Sequence, residues 1–224
     1  MASLQMLQLA SPSLPVGAFS YSEGLEWLVQ KGKIKDDLTM FSWLESELLR
    51  GQIRVEAAAL IPISKELELW SSKNMTIAKD AVIDWNDWLL ALRDATTIRL
   101  QQLQMGRSLL QLLAELDHPL PNNSKDFALP IAWAWAGISW ELSKSEVIQS
   151  YIYSWTANQL SASIRLVPIG PTKAQALQSK LLPLINKQSK LVQKENPHQM
   201  WTGDVGATMA QLSHTELYSR LFRS

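Results

Sequence analysis

The side chains able to do chemistry are few and scattered. His118, His198 and His214 are the only imidazoles, no two are close in sequence, and cysteine is absent. A nickel or zinc centre needs several His, Cys or carboxylate donors converging, often with two His one helical turn apart, so no metal site is predicted. His118 and His198 read as surface or interface residues. His214 can share a helical face with Leu217 and Leu221, which makes it a hydrogen-bonded core or interface histidine. Phosphate cradling needs a glycine-rich loop whose amides face the ligand, followed by Lys and Ser or Thr. Gly170-Pro171-Thr172-Lys173 only echoes that pattern, because Pro171 removes an amide donor and the spacing is wrong. No serine sits in a G-x-S-x-G elbow. Asp84 with Asp87 and Glu66 with Glu68 read as ordinary helical surface. No catalytic residue and no cofactor is therefore predicted.

Two arginines stand out. Arg99 and Arg107 fall on one face of a long periodic segment, at positions where apolar side chains are expected. A buried guanidinium needs carboxylates or carbonyls around it, so one reading is an internal ion-pair network, and a second is exposed arginines directed at a partner protein. Another is a buried polar pocket that Arg107 shares with Glu26, as an all-helical enzyme would use.

The elements that would position these residues are helical throughout. A short helix near Leu4–Leu9 is followed by Ser11-Pro12-Ser13-Leu14-Pro15-Val16-Gly17, an ordered non-helical segment. Ser20 or Ser22 caps a helix through Leu25 and Trp27 to Val29, with Gly32 beyond its end, and Asp36 or Asp37 caps the next. That helix has an apolar face of Phe41, Leu44, Leu48 and Leu49 and stops or kinks at Gly51. Residues 54–69 are helical in tendency, interrupted at Pro62. The longest periodic run, residues 77–116, predicts one central helix. His118 to Asn123 reads as a loop, and Pro130 suits the first turn of a helix from Leu129. Ser145 with Glu146 opens another, which Pro168-Ile169-Gly170-Pro171 breaks. From Lys173 the chain is again helical, interrupted at Pro183 and ended at Asn196-Pro197, and a last helix spans Val205–Arg223. Lys173, Lys180, Lys187 and Lys194 recur every seven residues and read as a solvated face. No segment alternates with period two between hairpin turns. The expected fold is an all-α, single-domain bundle of about eight to ten helices over residues 1–224.

Composition bounds the function. The apolar fraction of 46% supports a real core, and 21 basic against 21 acidic residues leave no global field to attract nucleic acid. Met1 to Leu9 carries no Lys or Arg and does not read as a secretory signal. No apolar run approaches the roughly 20 residues that span a bilayer. A soluble, cytoplasmic protein with no nucleic-acid or membrane partner is expected, and some of its ten Trp should lie at an interface.

Four stretches, in order, carry a resemblance. Leu9-Ala10-Ser11-Pro12-Ser13-Leu14-Pro15-Val16-Gly17-Ala18-Phe19-Ser20-Tyr21-Ser22-Glu23-Gly24-Leu25-Glu26 closely resembles the amino-terminal signature of the UreF family of urease accessory proteins. Met105-Gly106-Arg107-Ser108-Leu109-Leu110, Ile164-Arg165-Leu166-Val167-Pro168-Ile169-Gly170 and Tyr218-Ser219-Arg220-Leu221-Phe222-Arg223-Ser224 resemble the family as well. Pro171 departs from the pattern, where many relatives have Gln. The resemblance implies a helical homodimer that is not itself an enzyme. It implies that the protein binds the accessory protein UreD (also called UreH), recruits the GTPase UreG and helps deliver nickel to apo-urease. It also implies a coupling role for Glu26 and partner contacts for the tail. The partner- or GTPase-coupling set is then Phe19, Tyr21, Glu26, Arg99, Arg107 and Arg165. Tyr218, Arg220, Leu221, Phe222 and Arg223 are the expected docking residues of a partner-contacting tail at 216–224, and the loop at 11–20 is expected to contact partners as well. Independently of the resemblance, a chain end is normally frayed and polar, whereas this one is rich in apolar and aromatic side chains, as docking onto self or partner requires.

Overall fold

The structure, a computed structural model, describes residues 3–73, 75–121 and 125–224. Among these residues there is no strand, and the fold is all-α. Asn122 and Asn123 of the expected loop lie outside the described residues.

Local chemistry starts several helices near where the sequence signals them. Ser3 caps α1 (Leu4–Leu9), and a 3-10 turn at Ala18–Ser20 precedes α2 (Leu25–Gln30). Asp36 and Thr39 form a reciprocal capping box for α3 (Asp37–Arg50), which ends at Gly51. The next helix, α4 (Gln52–Lys73), passes through Pro62 without interruption, contrary to expectation. The lost amide bond is outweighed because Ala57–Leu60 before the proline and Ile63 and Leu67 after it are buried.

The predicted central helix is two helices, α5 (Thr76–Ala91) and α6 (Thr96–Glu115). They part at residues 92–95, where Arg93 turns into the interior. Arg99 braces this link, its Nε donating to the Arg93 carbonyl at 2.6 Å and its Nη2 to that of Asp94 at 3.2 Å. Gly106 breaks the apolar stripe of α6 for a different reason: a Cβ there would strike the Phe127 carbonyl and the Ala128 backbone.

Those residues lead into α7 (Leu129–Ser139), which has Pro130 in its first turn and is buried nearly all round. Helix α8 (Lys144–Leu166) is capped by Ser143, two residues earlier than predicted, because Glu146 reaches back to the Ser143 amide and hydroxyl. These bonds, with one from the Ser3 amide, hold the Glu146 carboxyl down at about 2 and tie α1 to the start of α8. Helix α9 (Pro171–Val192) also runs through its proline, Pro183, with Leu181 and Ile185 buried beside it. The last helix, α10 (Val205–His214), is shorter than expected, and the tail beyond it is not helical. Helix α4 lies at the centre, against α5, α7 and α8; α6 covers α7, α9 packs on α3 and α8, and α10 packs on α2. No described helix is long and apolar enough to cross a membrane.

Candidate functional site

The amino-terminal loop, α2, the end of α8 and the carboxy-terminal tail meet at one place. The meeting begins with backbone geometry. Glu23 and Gly24 both adopt left-handed φ, 52° and 86°, which turns the chain sharply into α2. Gly24 is required twice over, since a Cβ would lie 2.8 Å from the Ala210 and Gln211 backbone of α10. Glycine thus lets α10 lie directly on α2.

Glu26, in the first turn of α2, is 3% exposed. Its Oε1 accepts the Leu221 amide at 2.8 Å, and its Oε2 accepts the Phe222 amide and His214 Nε2, each at 3.1 Å. Glu26 is therefore the clasp that holds the tail to α2. His214 is fully buried, as its sequence position suggested, with Nε2 the donor and Nδ1 unbonded. It does not share a helical face with Leu217 and Leu221, because α10 stops at His214 itself.

Phe222 and Ser224 point inward and are buried, while Leu221 and Arg223 point outward. The Arg223 amide donates to the Ser20 carbonyl at 2.9 Å. The Ser224 main-chain oxygen accepts from the Ser22 and Glu23 amides, at 2.7 and 3.0 Å, and from the Ser22 hydroxyl at 2.8 Å. The Ser22 hydroxyl in turn accepts the Glu26 amide at 3.4 Å, so Ser22 supports the start of α2 although the capping position is Gly24.

Arg165 bolts the two ends together. Its Nη2 donates to the Phe19 carbonyl at 2.7 Å, and its guanidinium lies 4.1 Å over the Phe222 ring, a cation–π contact. Tyr21 is buried and its carbonyl accepts from Asn158 of α8 at 3.3 Å. Phe19, by contrast, is 67% exposed, Leu221 58%, and Tyr218 fully exposed. Arg220 is exposed as well. The outer surface of the closure is thus apolar and aromatic, with arginines among it.

Beneath it lies a buried polar network. Gln101 bridges the two layers, accepting from the Ser224 hydroxyl and donating to Glu23 Oε1 at 2.9 Å. Trp155 Nε1 donates to Glu23 Oε2 at 3.0 Å. Burial pushes the Glu23 carboxyl up, against the opposing charge of Arg93. Arg93 Nε donates to Glu56 at 3.0 Å, and the Tyr151 hydroxyl donates to the same carboxylate at 2.7 Å. Burial works against the charge on Arg93, but Glu56 and Glu23 outweigh it and raise its pKa. Burial, then Glu56, keep the Tyr151 phenol protonated well past its ordinary range. A cavity of about 40 Å³ borders this network, touching Glu23, Gln102 and Tyr151.

Phe19, Tyr21, Glu26, Arg165 and the tail therefore converge, and the two singled-out arginines do not. Arg107 is exposed and paired with Asp126, which lowers the Asp126 carboxyl, chiefly through their hydrogen bond. It forms neither the internal network expected of a stripe-breaking arginine nor a buried pocket with Glu26. Arg99 is exposed and holds the α5–α6 link through the Arg93 and Asp94 carbonyls. The buried arginine is Arg93, which lies in a stretch that reads as continuous helix and gives no signal of a turn. Ser22, Glu23 and Gln101 were also missed. Glu23 sits inside the resembling motif, but its inward aim depends on a left-handed backbone that its residue type does not announce. Among the described residues no group of three or more His, Asp or Glu could hold a metal ion.

The chain is similar along its length to known proteins. The UreF family model matches residues 34–182. A urease accessory protein UreF of Prochlorococcus marinus subsp. pastoris (strain CCMP1986 / NIES-2087 / MED4) is 40% identical over 218 residues, 96% of both chains. That of Prochlorococcus marinus (strain MIT 9312) is 38% identical over the same shares. That of Trichormus variabilis (strain ATCC 29413 / PCC 7937) is 36% identical over 99% of this chain and 95% of its own. With the family model matching more than half of the chain and relatives 36–40% identical over 96–99% of it, the chain belongs to the UreF family of urease accessory proteins.

Proposed function

We propose that the protein is a non-catalytic assembly factor for urease. It acts in the cytoplasm as one domain and as a homodimer, binds UreD (UreH), and through that complex recruits and regulates the GTPase UreG so that nickel is inserted into apo-urease. The observation that carries this reading is the apolar outer face of the closure, where Phe19, Tyr218 and Leu221 are held outward by a hydrogen-bonded frame rather than left on a loose end. Exposed aromatic side chains with arginines beside them are what protein interfaces concentrate at their energetic centres. Binding alone is enough to regulate a GTPase, since a partner that favours one conformation of its switch segments shifts their population.

The test is co-purification from cells expressing a urease operon. The full chain should recover UreD (UreH) and UreG together, and a chain lacking residues 221–224 should recover less of both. Full recovery by the truncated chain would show that the tail is not the docking element. Rapid turnover of a small metabolite by the isolated protein would remove the non-catalytic reading altogether.

A further inference from the structure

The solvent face of α9 carries charge of one sign only. Lys173, Lys180, Lys187 and Lys194 are joined by Lys190, and residues 171–194 contain no Asp or Glu. A seven-residue spacing drifts only about 20° per repeat on a straight helix, and Lys190 falls beside Lys187, so the four lysines within α9 share one side, with Lys194 two residues past its end. Ala174, Leu177, Leu181, Ile185 and Val192 are buried on the other side, and all five lysines are exposed. Carboxylates bound this strip at its two ends. Lys173 meets Asp37 at 3.3 Å, and just past Lys194 the Glu195 carboxylate pairs with Arg54 at 3.2 Å. Among the described residues, no carboxylate lies within ion-pair distance of Lys180, Lys187 or Lys190. In a chain of formal net charge +0, this ridge is segregated charge rather than general excess.

The ridge runs into an open cleft of about 370 Å³ whose walls include Arg54, Lys194, Met200 and Trp201. Trp201 is 70% exposed, an unusual position for the side chain with the most apolar surface to hide. Arg54 Nη1 donates to the Leu49 carbonyl at 2.7 Å and Nη2 to Glu195, yet its buried Nε has no acceptor. A cationic strip, an aromatic platform and an unused guanidinium donor thus adjoin one another.

We propose that the α9 ridge and the Trp201 cleft form one docking surface for an acidic segment of another protein. Its carboxylates lie along Lys180, Lys187 and Lys190, and one aromatic or apolar side chain seats on Trp201. The strip is about 33 Å long at 1.5 Å per residue and closed by Asp37 and Glu195, which suits a short segment better than a polyanion that continues past both ends. None of these residues belongs to the closure formed by the tail, so the two surfaces are testable separately.

The experiment uses the full chain and a short fluorescein-labelled glutamate-rich peptide with one phenylalanine, followed by fluorescence anisotropy. The peptide should bind, and binding should weaken steeply with added salt. K180E/K187E/K190E should weaken it at least about tenfold, as reversal of several interfacial charges does. Trp201→Ala should weaken the phenylalanine-containing peptide and leave a phenylalanine-free version unaffected. Circular dichroism checks that both variants fold, and a triple Lys→Gln variant replaces the reversal if it does not. Equal binding by parent and charge-altered protein would overturn the proposal. So would preferential binding to phosphatidylserine vesicles or to a single-stranded oligonucleotide. Deleting residues 221–224 should leave peptide binding unchanged, whatever it does to recovery of the urease partners.

Discussion

Two buried glutamates show how one residue type serves opposite ends. Glu26 is satisfied, with two backbone amides and His214 Nε2 directed at its carboxylate. Removing that acceptor strands three donors, but the tail amides can regain water by fraying, so the cost is set by detachment rather than by three full desolvation penalties. Glu26→Ala should lower stability by about 2 kcal/mol and speed hydrogen exchange at the Leu221 and Phe222 amides. Unchanged exchange at those two positions would show that Glu26 is not the clasp. Glu47 has no such frame. Burial, and then the charge of Asp204, push its carboxyl up to about 8, with Arg93 opposing. The folded chain then holds a proton that the unfolded chain releases near 4.5, so stability falls as pH rises from about 4.5 to about 8. Glu47→Gln should flatten part of that slope and exceed the parent by about 1–3 kcal/mol near pH 8.5, while matching it closely near pH 5. Glu23, shifted in the same direction, keeps some slope in the variant. Urea midpoints at the two pH values decide it, and parallel pH profiles would exclude the assignment.

At the scale of elements, the link between α5 and α6 depends on Arg93 reaching Glu56 of α4, which Tyr151 of α8 also grips. Arg93→Met should cost about 3–5 kcal/mol, because it leaves a buried carboxylate without its counter-charge. Adding Glu56→Leu should recover most of that loss, since replacing a whole buried pair by apolar groups is often neutral. Denaturation of the four forms in a double-mutant cycle measures the coupling, and purely additive losses would refute it. This turn also marks the limit of what the sequence discloses. Caps such as Asp36, and prolines such as Pro130 in a first turn, are local chemistry and were legible. Pro62 and Pro183 misled because the price of a helical proline, about 3 kcal/mol, is local while the burial that outweighs it is tertiary. Arg99, Gly106 and Arg107 interrupt one apolar stripe for three unrelated reasons: a brace on the α5–α6 link, a close backbone approach and a surface pair. Pattern alone cannot separate these. The closure was legible in part, as a resembling motif at either end of the chain. That Ser22 and Ser224 touch, 202 positions apart, has no local signature.

For the whole molecule, the consequence of closing one end on the other is a division of stability. The helices at the centre, α4 and α7, are buried along most of their length. The closure buries fewer apolar side chains, Tyr21, Leu25, Ala210 and Phe222 among them, and depends more on hydrogen bonds to Glu26, Ser20 and Ser22 and on the cation–π contact of Arg165. Segments held mainly by such contacts open at lower free energy than a packed core, and contiguous contacts open cooperatively. Native-state hydrogen exchange should therefore find residues 17–26 and 205–224 opening together, before α4 and α7. Gly24→Ala tests the joint. It forces a side chain onto left-handed φ and into the α10 backbone, so it should lower the opening free energy of both segments by about 1–3 kcal/mol while α4 and α7 keep theirs. If α10 and the tail instead exchange in step with α4 in both proteins, the closure is an inseparable part of the core. If they exchange independently of residues 17–26, it does not join the two segments at all.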